Sequence, residues 1–310
     1  MSRQGKFVTV AVAIVLLLFL VGGAVCFLAP GTSLRETGEA RAAPETLTVL
    51  YTCDTRGHIE PCSCSEGIAG GMARRQVHLA SQQAPARLLV DAGNVTAGGR
   101  DWEILEARYI LRAYEQMGYD AVNAGRTEAE TSVEALRELA GLYDRLISAN
   151  LLDASGKTIF PPYRVAELPG GYRVGILGVV EDTLAPDELG QGLTILPPED
   201  AIAKYLPELE RQSDFVVLLA FVDEERMKDL AERFYEIDVI VGGNVQQPSG
   251  TPELANRSVI AYITDKGKGV GRLDLALGPE GATVKANDIA VLTEDVPADP
   301  AIAALIEEYH

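Results

Sequence analysis

Cys53, Asp54, Arg56 and His58 lie within six residues of one another, and Cys62 and Cys64 follow on the same loop. Three thiols and one imidazole make a ligand set suited to a soft metal, zinc or copper(I). The same thiols could run thiol–disulfide exchange, or form a structural disulfide with one thiol left over. Bridging Cys62 to Cys64 would close a very small ring, so a stable bridge is expected to use Cys53 with Cys62 or Cys64. Arg56 nearby would favour thiolates over thiols. A second set of groups is cationic: Arg56, Arg74, Arg75 and Arg126 could meet an anion, although Arg74 and Arg75 open a helical stretch and read first as a solvated face. The histidine count limits everything else. Only His58, His78 and His310 are present, and His310 is the last residue, so an imidazole-rich metal centre cannot be assembled. His78 sits in a helical stretch and reads as packing or surface. No Cys-x-x-Cys-His run is present to attach a c-type haem.

The elements that must position these groups can be read from composition and pattern. The chain has 310 residues, 47% hydrophobic and 23% charged, which excludes a disordered or collagenous chain. Its formal charge of −18 repels a phosphate backbone over the whole surface, so nucleic acid is not an expected partner. Phe7–Leu28 carries no charge and would span about 33 Å as a helix, enough for a bilayer core. Arg3 and Lys6 precede it and hold the N-terminus in the cytoplasm. The expectation is a single-pass inner-membrane anchor at 1–28 with the remainder on the periplasmic side. A cleaved signal peptide and lipidation at Cys26 are the alternatives. Residues 29–46, with Pro30, Gly31, Gly38 and Pro44, read as a flexible tether. Residues 47–310 read as one domain.

Within that domain short β-branched runs alternate with helical patterns. Strands are expected at 47–53, 87–91, 121–123, 145–150, 172–179, 214–220 and 239–241. Helices are expected at 72–81, 101–117, 133–140, 201–212 and 224–234. From 257 onward come strands at 259–264, 270–276 and 283–292, closed by a helix at 301–309. Such a pattern points to an α/β (α+β) fold: a four-layer αββα sandwich of two mixed β-sheets, preceded by one transmembrane helix. Trp102 and Tyr109, seven apart on one helix, read as core packing. Gly125 and Gly243 read as tight turns after strands. Acidic residues at 223–225 read as first-turn helix charges.

Several strand ends resemble one family. Leu47-Thr-Val-Leu-Tyr-Thr-Cys-Asp-Thr-Arg-Gly-His58, Leu89-Val-Asp-Ala-Gly-Asn94 and Met117-Gly-Tyr-Asp-Ala-Val-Asn-Ala-Gly-Arg-Thr-Glu128 are similar to the first three motifs of the calcineurin-like metallophosphoesterases, in their 5′-nucleotidase and UDP-sugar hydrolase branch. Asp214–Phe221 and Ile237–Gln246 fall where that family has its last two. The Glu60-Pro-Cys-Ser-Cys64 loop resembles an exported sub-branch, some members of which occur beside multihaem cytochromes. The resemblance implies the αββα fold and two metal ions that clamp a phosphoryl group and activate water.

Carried over residue by residue, the metal positions are occupied by Asp54, Arg56, Asn94, Arg126, Thr127, Phe221, Asn244 and Gln246, and among them Asp54 alone keeps its ligand type. Arginine stays protonated and cannot ligate a cation. The expectation is therefore a degenerate centre without a cofactor, in a protein that binds an anion or a partner. The alternatives are a phosphoesterase of nucleotides or sugar nucleotides with Zn, Mn or Mg held at Asp54, and a redox accessory protein using Cys53, Cys62, Cys64 and His58. The last of these would take an electron-transfer or multihaem cytochrome partner, or hold a soft metal at the three thiols.

Overall fold

Strand period explains most of the core. In the strand Phe215–Phe221, residues 215, 217, 219 and 221 face one side and 216, 218 and 220 the other, and all are buried. A strand apolar on both faces must lie between two layers. The computed structural model describes residues 43–64, 67–264, 266–279 and 281–309, and shows that arrangement. The anchor expected at 1–28, most of the tether at 29–46, Cys26 and His310 lie outside the described residues. No helix among the described residues is long and apolar enough to cross a membrane.

Two six-stranded mixed sheets pack face to face. The first runs, edge to edge, Gly281–Val291, Gly269–Gly278, Thr46–Thr52, Arg87–Asp91, Ala121–Asn123 and Leu146–Ile147. Thr46–Thr52 is antiparallel to Gly269–Gly278 and parallel to Arg87–Asp91. The second runs Glu253–Ala255, Ser258–Tyr262, Val239–Gly243, Phe215–Phe221, Arg173–Val180 and Tyr163–Glu167, with its four central strands parallel. Val49, Tyr51, Val217, Leu219 and Val241 fill the space between the sheets. Helices Met72–Ser81, Asp101–Met117, Val133–Leu142 and Pro300–Glu307 cover the outer face of the first sheet. Pro198–Gln212 and Glu224–Arg233 cover that of the second.

The αββα sandwich agrees with the expectation, and so do its main elements to within a few residues. Asp223 caps the helix Glu224–Arg233 by accepting from the Arg226 amide at 2.8 Å, a more specific role than first-turn charge. Glu45 accepts a backbone bond from Leu277, and the first strand already includes Thr46. The short hairpin Cys62–Cys64 with Gly67–Ala69 and the outer strand Tyr163–Glu167 have no clear apolar alternation, and pattern reading passes over them.

Parallel strands bring their C-terminal ends to one edge of the sandwich, and loops collect there. Asn123 ties the two sheets together at that edge: its Nδ2 donates to Ala92 O at 3.0 Å and to Val179 O at 2.8 Å, one carbonyl from each sheet. Asn150 adds a second tie, donating to Val180 O at 2.7 Å and accepting from the Val180 amide at 3.0 Å.

Candidate functional site at the strand ends

The loops that leave these strands are held in an unusual backbone state. Among the described residues six non-glycine residues have positive φ, and four of them are Asp54 (59°), Arg56 (45°), Asn94 (60°) and Asn244 (56°). Left-handed non-glycine residues cost of order 1–3 kcal/mol each and persist where the surroundings over-determine them. Here the surroundings are paired loops. Asp54 N donates to Gly93 O at 2.8 Å, Arg56 N to Asn94 O at 2.8 Å and Gly57 N to Val95 O at 2.9 Å, so the first two strand-end loops continue to pair after the strands stop.

Two connected polar chains result. In the first, Arg56 Nε donates to Asp54 Oδ1 at 2.5 Å and Asn94 Nδ2 to the same oxygen at 3.0 Å. Thr264 Oγ1 donates to Asp54 Oδ2 at 3.2 Å, and Asn94 Oδ1 accepts from the Thr127 amide at 3.0 Å. In the second, Arg126 is clasped by Glu130 (Nε, 3.0 Å), Glu181 (Nη1, 3.1 Å) and Glu188 (Nη2, 3.4 Å), while Asn244 Nδ2 donates to Glu181 Oε2 at 2.7 Å. Asp54, Arg56, Asn94, Arg126, Thr127 and Asn244 are thus brought into one contiguous site. Gln246 is exposed beyond it.

Two carboxylates that sequence reading missed organise the site. Glu181 follows the strand Arg173–Val180 and joins Arg126 to Asn244; nothing in its sequence context marks it. Glu128 is buried and accepts from the amides of Thr96 (2.7 Å), Gly125 (2.7 Å) and Asn94 (3.0 Å). Burial pushes its carboxyl up, opposed by those amides. A signal for it exists: Gly125-x-x-Glu128 has the spacing of a capping box. Gly125 itself corrects an expectation. Its φ is −102°, so no turn requires glycine there; a Cβ would collide with the Asn94 amide and side chain. Gly243 is likewise needed for close approach, to Cys53 and Phe221, and not for a turn.

Two further positions depart from expectation for one reason. Phe221 is six residues on from Phe215 and therefore faces the inter-sheet core, where it is 1% exposed; it is not in the polar site. Cys53 continues the 47, 49, 51 register and also faces inward. Its Sγ donates to Gly93 O at 3.4 Å. Burial, then Asp91, Asp54 and Glu128, push the thiol well up, the opposite of the thiolate expected beside Arg56. A soft-metal site or an exchange centre built on Cys53 loses its accessible thiolate. His58 stays on the loop, its Nδ1 against Thr55 O (3.1 Å) and Arg56 O (2.9 Å). Cys62 and Cys64 lie in the short hairpin, opposite Ala69 and Gly67. Cys53 is expected to resist alkylation in the native protein and to label on unfolding; mass spectrometry showing equal labelling rates in the two states would reject its burial.

The arginines behave differently from an open anion site. Arg75 is fully enclosed, contrary to the solvated face expected, and is closed to any solution anion. Arg126 is saturated by glutamates and Arg56 is paired with Asp54. Arg74 is partly exposed, with Nη1 3.4 Å from Ile68 O. A two-metal centre does not fit these residues either. The carboxylate at the first motif, Asp54, is ion-paired with Arg56 at 2.5 Å, and no group of three His, Cys, Asp or Glu that could hold a metal forms among the described residues.

No family profile matches the chain. The chain is 26% identical over 273 residues to a 5′-nucleotidase of Vibrio cholerae, a match covering 74% of this chain and 48% of that protein. The 5′-nucleotidase precursor of Thermus thermophilus superposes with a TM-score of 0.71 at 25% identity, over 85% of this chain and 58% of that one. A calcineurin-like phosphoesterase of Bacillus subtilis superposes with a TM-score of 0.67 at 20% identity, covering 86% of this chain and 96% of that one. The chain spans about half the length of the curated relatives it matches.

Proposed function

We propose that this chain, whose relatives are named 5′-nucleotidase and whose fold is that of a calcineurin-like phosphoesterase, uses the strand-end site to bind a ligand or partner, without two-metal hydrolysis. The observation that carries this reading is the Arg56–Asp54 ion pair at 2.5 Å. A guanidinium does not give up its charge, so it competes with a divalent cation for Asp54 and repels one brought near. Arg126, clasped by Glu130, Glu181 and Glu188, puts a second fixed cation in the same site. The positive-φ residues Asp54, Arg56, Asn94 and Asn244 at the strand ends support a site kept for binding, because backbone strain of this kind clusters where function requires it. Attachment to the inner membrane with the domain on the periplasmic side belongs to the same proposal and rests on the Phe7–Leu28 run.

A second reading is hydrolysis of nucleotides or sugar nucleotides with an altered metal site at Asp54. The relatives support it, since those matched in Vibrio cholerae and Bos taurus are both named 5′-nucleotidase. The comparisons therefore favour hydrolysis, while the side chains at this chain's own site favour its loss. Elemental analysis of protein purified without chelator, followed by 5′-nucleotidase assays with Mg²⁺, Mn²⁺ and Zn²⁺, separates the two. The expected result is no stoichiometric metal and turnover far below the ~1 s⁻¹ at the low end of ordinary enzymes. Stoichiometric metal with turnover at or above that level, abolished by Asp54→Ala, would establish hydrolysis.

A further inference from the structure

Next to the strand-end site lies a cavity of about 480 Å³ whose lining includes Trp102, Tyr309, Glu106, Glu60, His58 and Arg56. Its position follows from the loop and the helix Asp101–Met117. Gly57 has φ 74°, and the Cβ it lacks would occupy the place of the Glu106 carboxylate. Glu106 therefore rests directly on the loop backbone between Arg56 and His58. No donor reaches its carboxylate among the described residues, although the side chain is half-buried. Trp102 is 49% exposed, against the core role its helical spacing suggests. The Arg100 guanidinium stacks on the indole at 4.5 Å from its centroid and does not line the cavity, so the ring is supported on one side and available on the other.

The charges around the cavity favour one sign. Arg56 is paired with Asp54. His58 places Nδ1 against two carbonyl oxygens, Thr55 O and Arg56 O. Glu106 adds a carboxylate that no donor among the described residues reaches, in a chain of net charge −18. An anion entering here would face it. A cation would meet it beside two aromatic side chains, Trp102 and Tyr309, and aromatic rings attract positive charge. We infer that this cavity takes a small organic cation, an ammonium group on an apolar body, held by the Glu106 carboxylate between Trp102 and Tyr309. The assignment does not depend on whether the strand-end site hydrolyses.

Trp102 is the only tryptophan of the chain, so its fluorescence reports on this cavity alone. The full chain is titrated with choline, and in a parallel arm with phenyl phosphate. A saturable change with choline and none with phenyl phosphate is expected. Glu106→Gln should weaken choline by about tenfold, and Tyr309→Leu by several-fold. Burial first, then Glu103, push the Glu106 carboxyl up to about 7. Below that pH it is protonated and neutral, so choline affinity should rise between about pH 6 and pH 8. The charged or titratable groups around Glu106 are Glu103 on its own helix, Glu60, Arg56 and His58 on the loop, and Tyr309 from the C-terminal segment. The slope that Glu106→Gln removes belongs to Glu106. No saturable choline response, an equal response to phenyl phosphate, or unchanged affinity in Glu106→Gln with a wild-type circular dichroism spectrum would each overturn the assignment.

Discussion

Replacing Arg75 with methionine lowers the free energy of unfolding by about 3–5 kcal/mol, the cost of removing one partner from a buried charge pair. Arg75 is 0% exposed on the helix Met72–Ser81. It donates to Tyr114 Oη (2.8 Å), Tyr119 Oη (3.4 Å), Thr55 Oγ1 (3.2 Å) and Gly267 O (3.1 Å). Asp91, also 0% exposed, accepts from Tyr114 Oη at 2.8 Å and Thr52 Oγ1 at 2.6 Å, so the two charges communicate through a phenol. Burial pushes Tyr114 and Tyr119 up, which keeps both phenols protonated and able to donate.

The pH dependence has a definite sign. Burial raises the Asp91 carboxyl, opposed by the Thr52 bond, Arg75 and the other donors, and losing Arg75 raises it further. A carboxyl whose folded pKa lies above its unfolded value favours folding at acid pH and loses that advantage as pH rises. The Arg75→Met deficit should therefore be larger at neutral pH than at acid pH. Arg75→Lys should recover only part of it, because one ammonium cannot reach acceptors spread along a planar fork. Urea denaturation at two pH values tests this; a deficit under about 1 kcal/mol, or one that grows on acidification, rejects the charge-pair account.

Glu128→Gln carries the second large effect, about 2–4 kcal/mol. Three backbone amides converge on the two carboxylate oxygens, and glutamine keeps only one acceptor while turning an NH₂ toward donors. The loss would be felt at the site, because two of those amides belong to Asn94 and Gly125. Amide hydrogen exchange should accelerate at 94–96 and 125–127 before the rest of the domain, the mark of local opening. Uniform acceleration across both sheets would show that Glu128 only contributes to global stability.

Much of the fold is legible in the sequence because its signals are local. Near-continuous apolar runs over Leu47–Cys53 and Phe215–Phe221, and helical spacing over Asp101–Met117, set which faces are apolar, and two-faced apolar strands leave few layer arrangements open. Scarce histidine and the arginines at 56 and 126 are likewise readable by residue type alone, and with the family resemblance they underlie the expectation of a degenerate centre. The inward facing of Cys53 and Phe221 is legible too, since counting by twos from Leu47 and Phe215 puts both in the core; proximity to Asp54 and to the motif position is the weaker signal, and register overrides it.

What the sequence by itself determined is therefore what periodicity and residue type can determine: the main strands and helices and the αββα layering. Only the tertiary structure decided where the charges go. Arg75 and Asp91 are 16 residues apart in sequence, Arg126 and Glu181 are 55, and Asp54 meets Thr264 across 210. No local pattern distinguishes a glutamate that will face solvent from one that will clasp an arginine. That choice depends on which strand ends the sheet topology brings together, and on the burial that makes an unpaired charge too costly to keep.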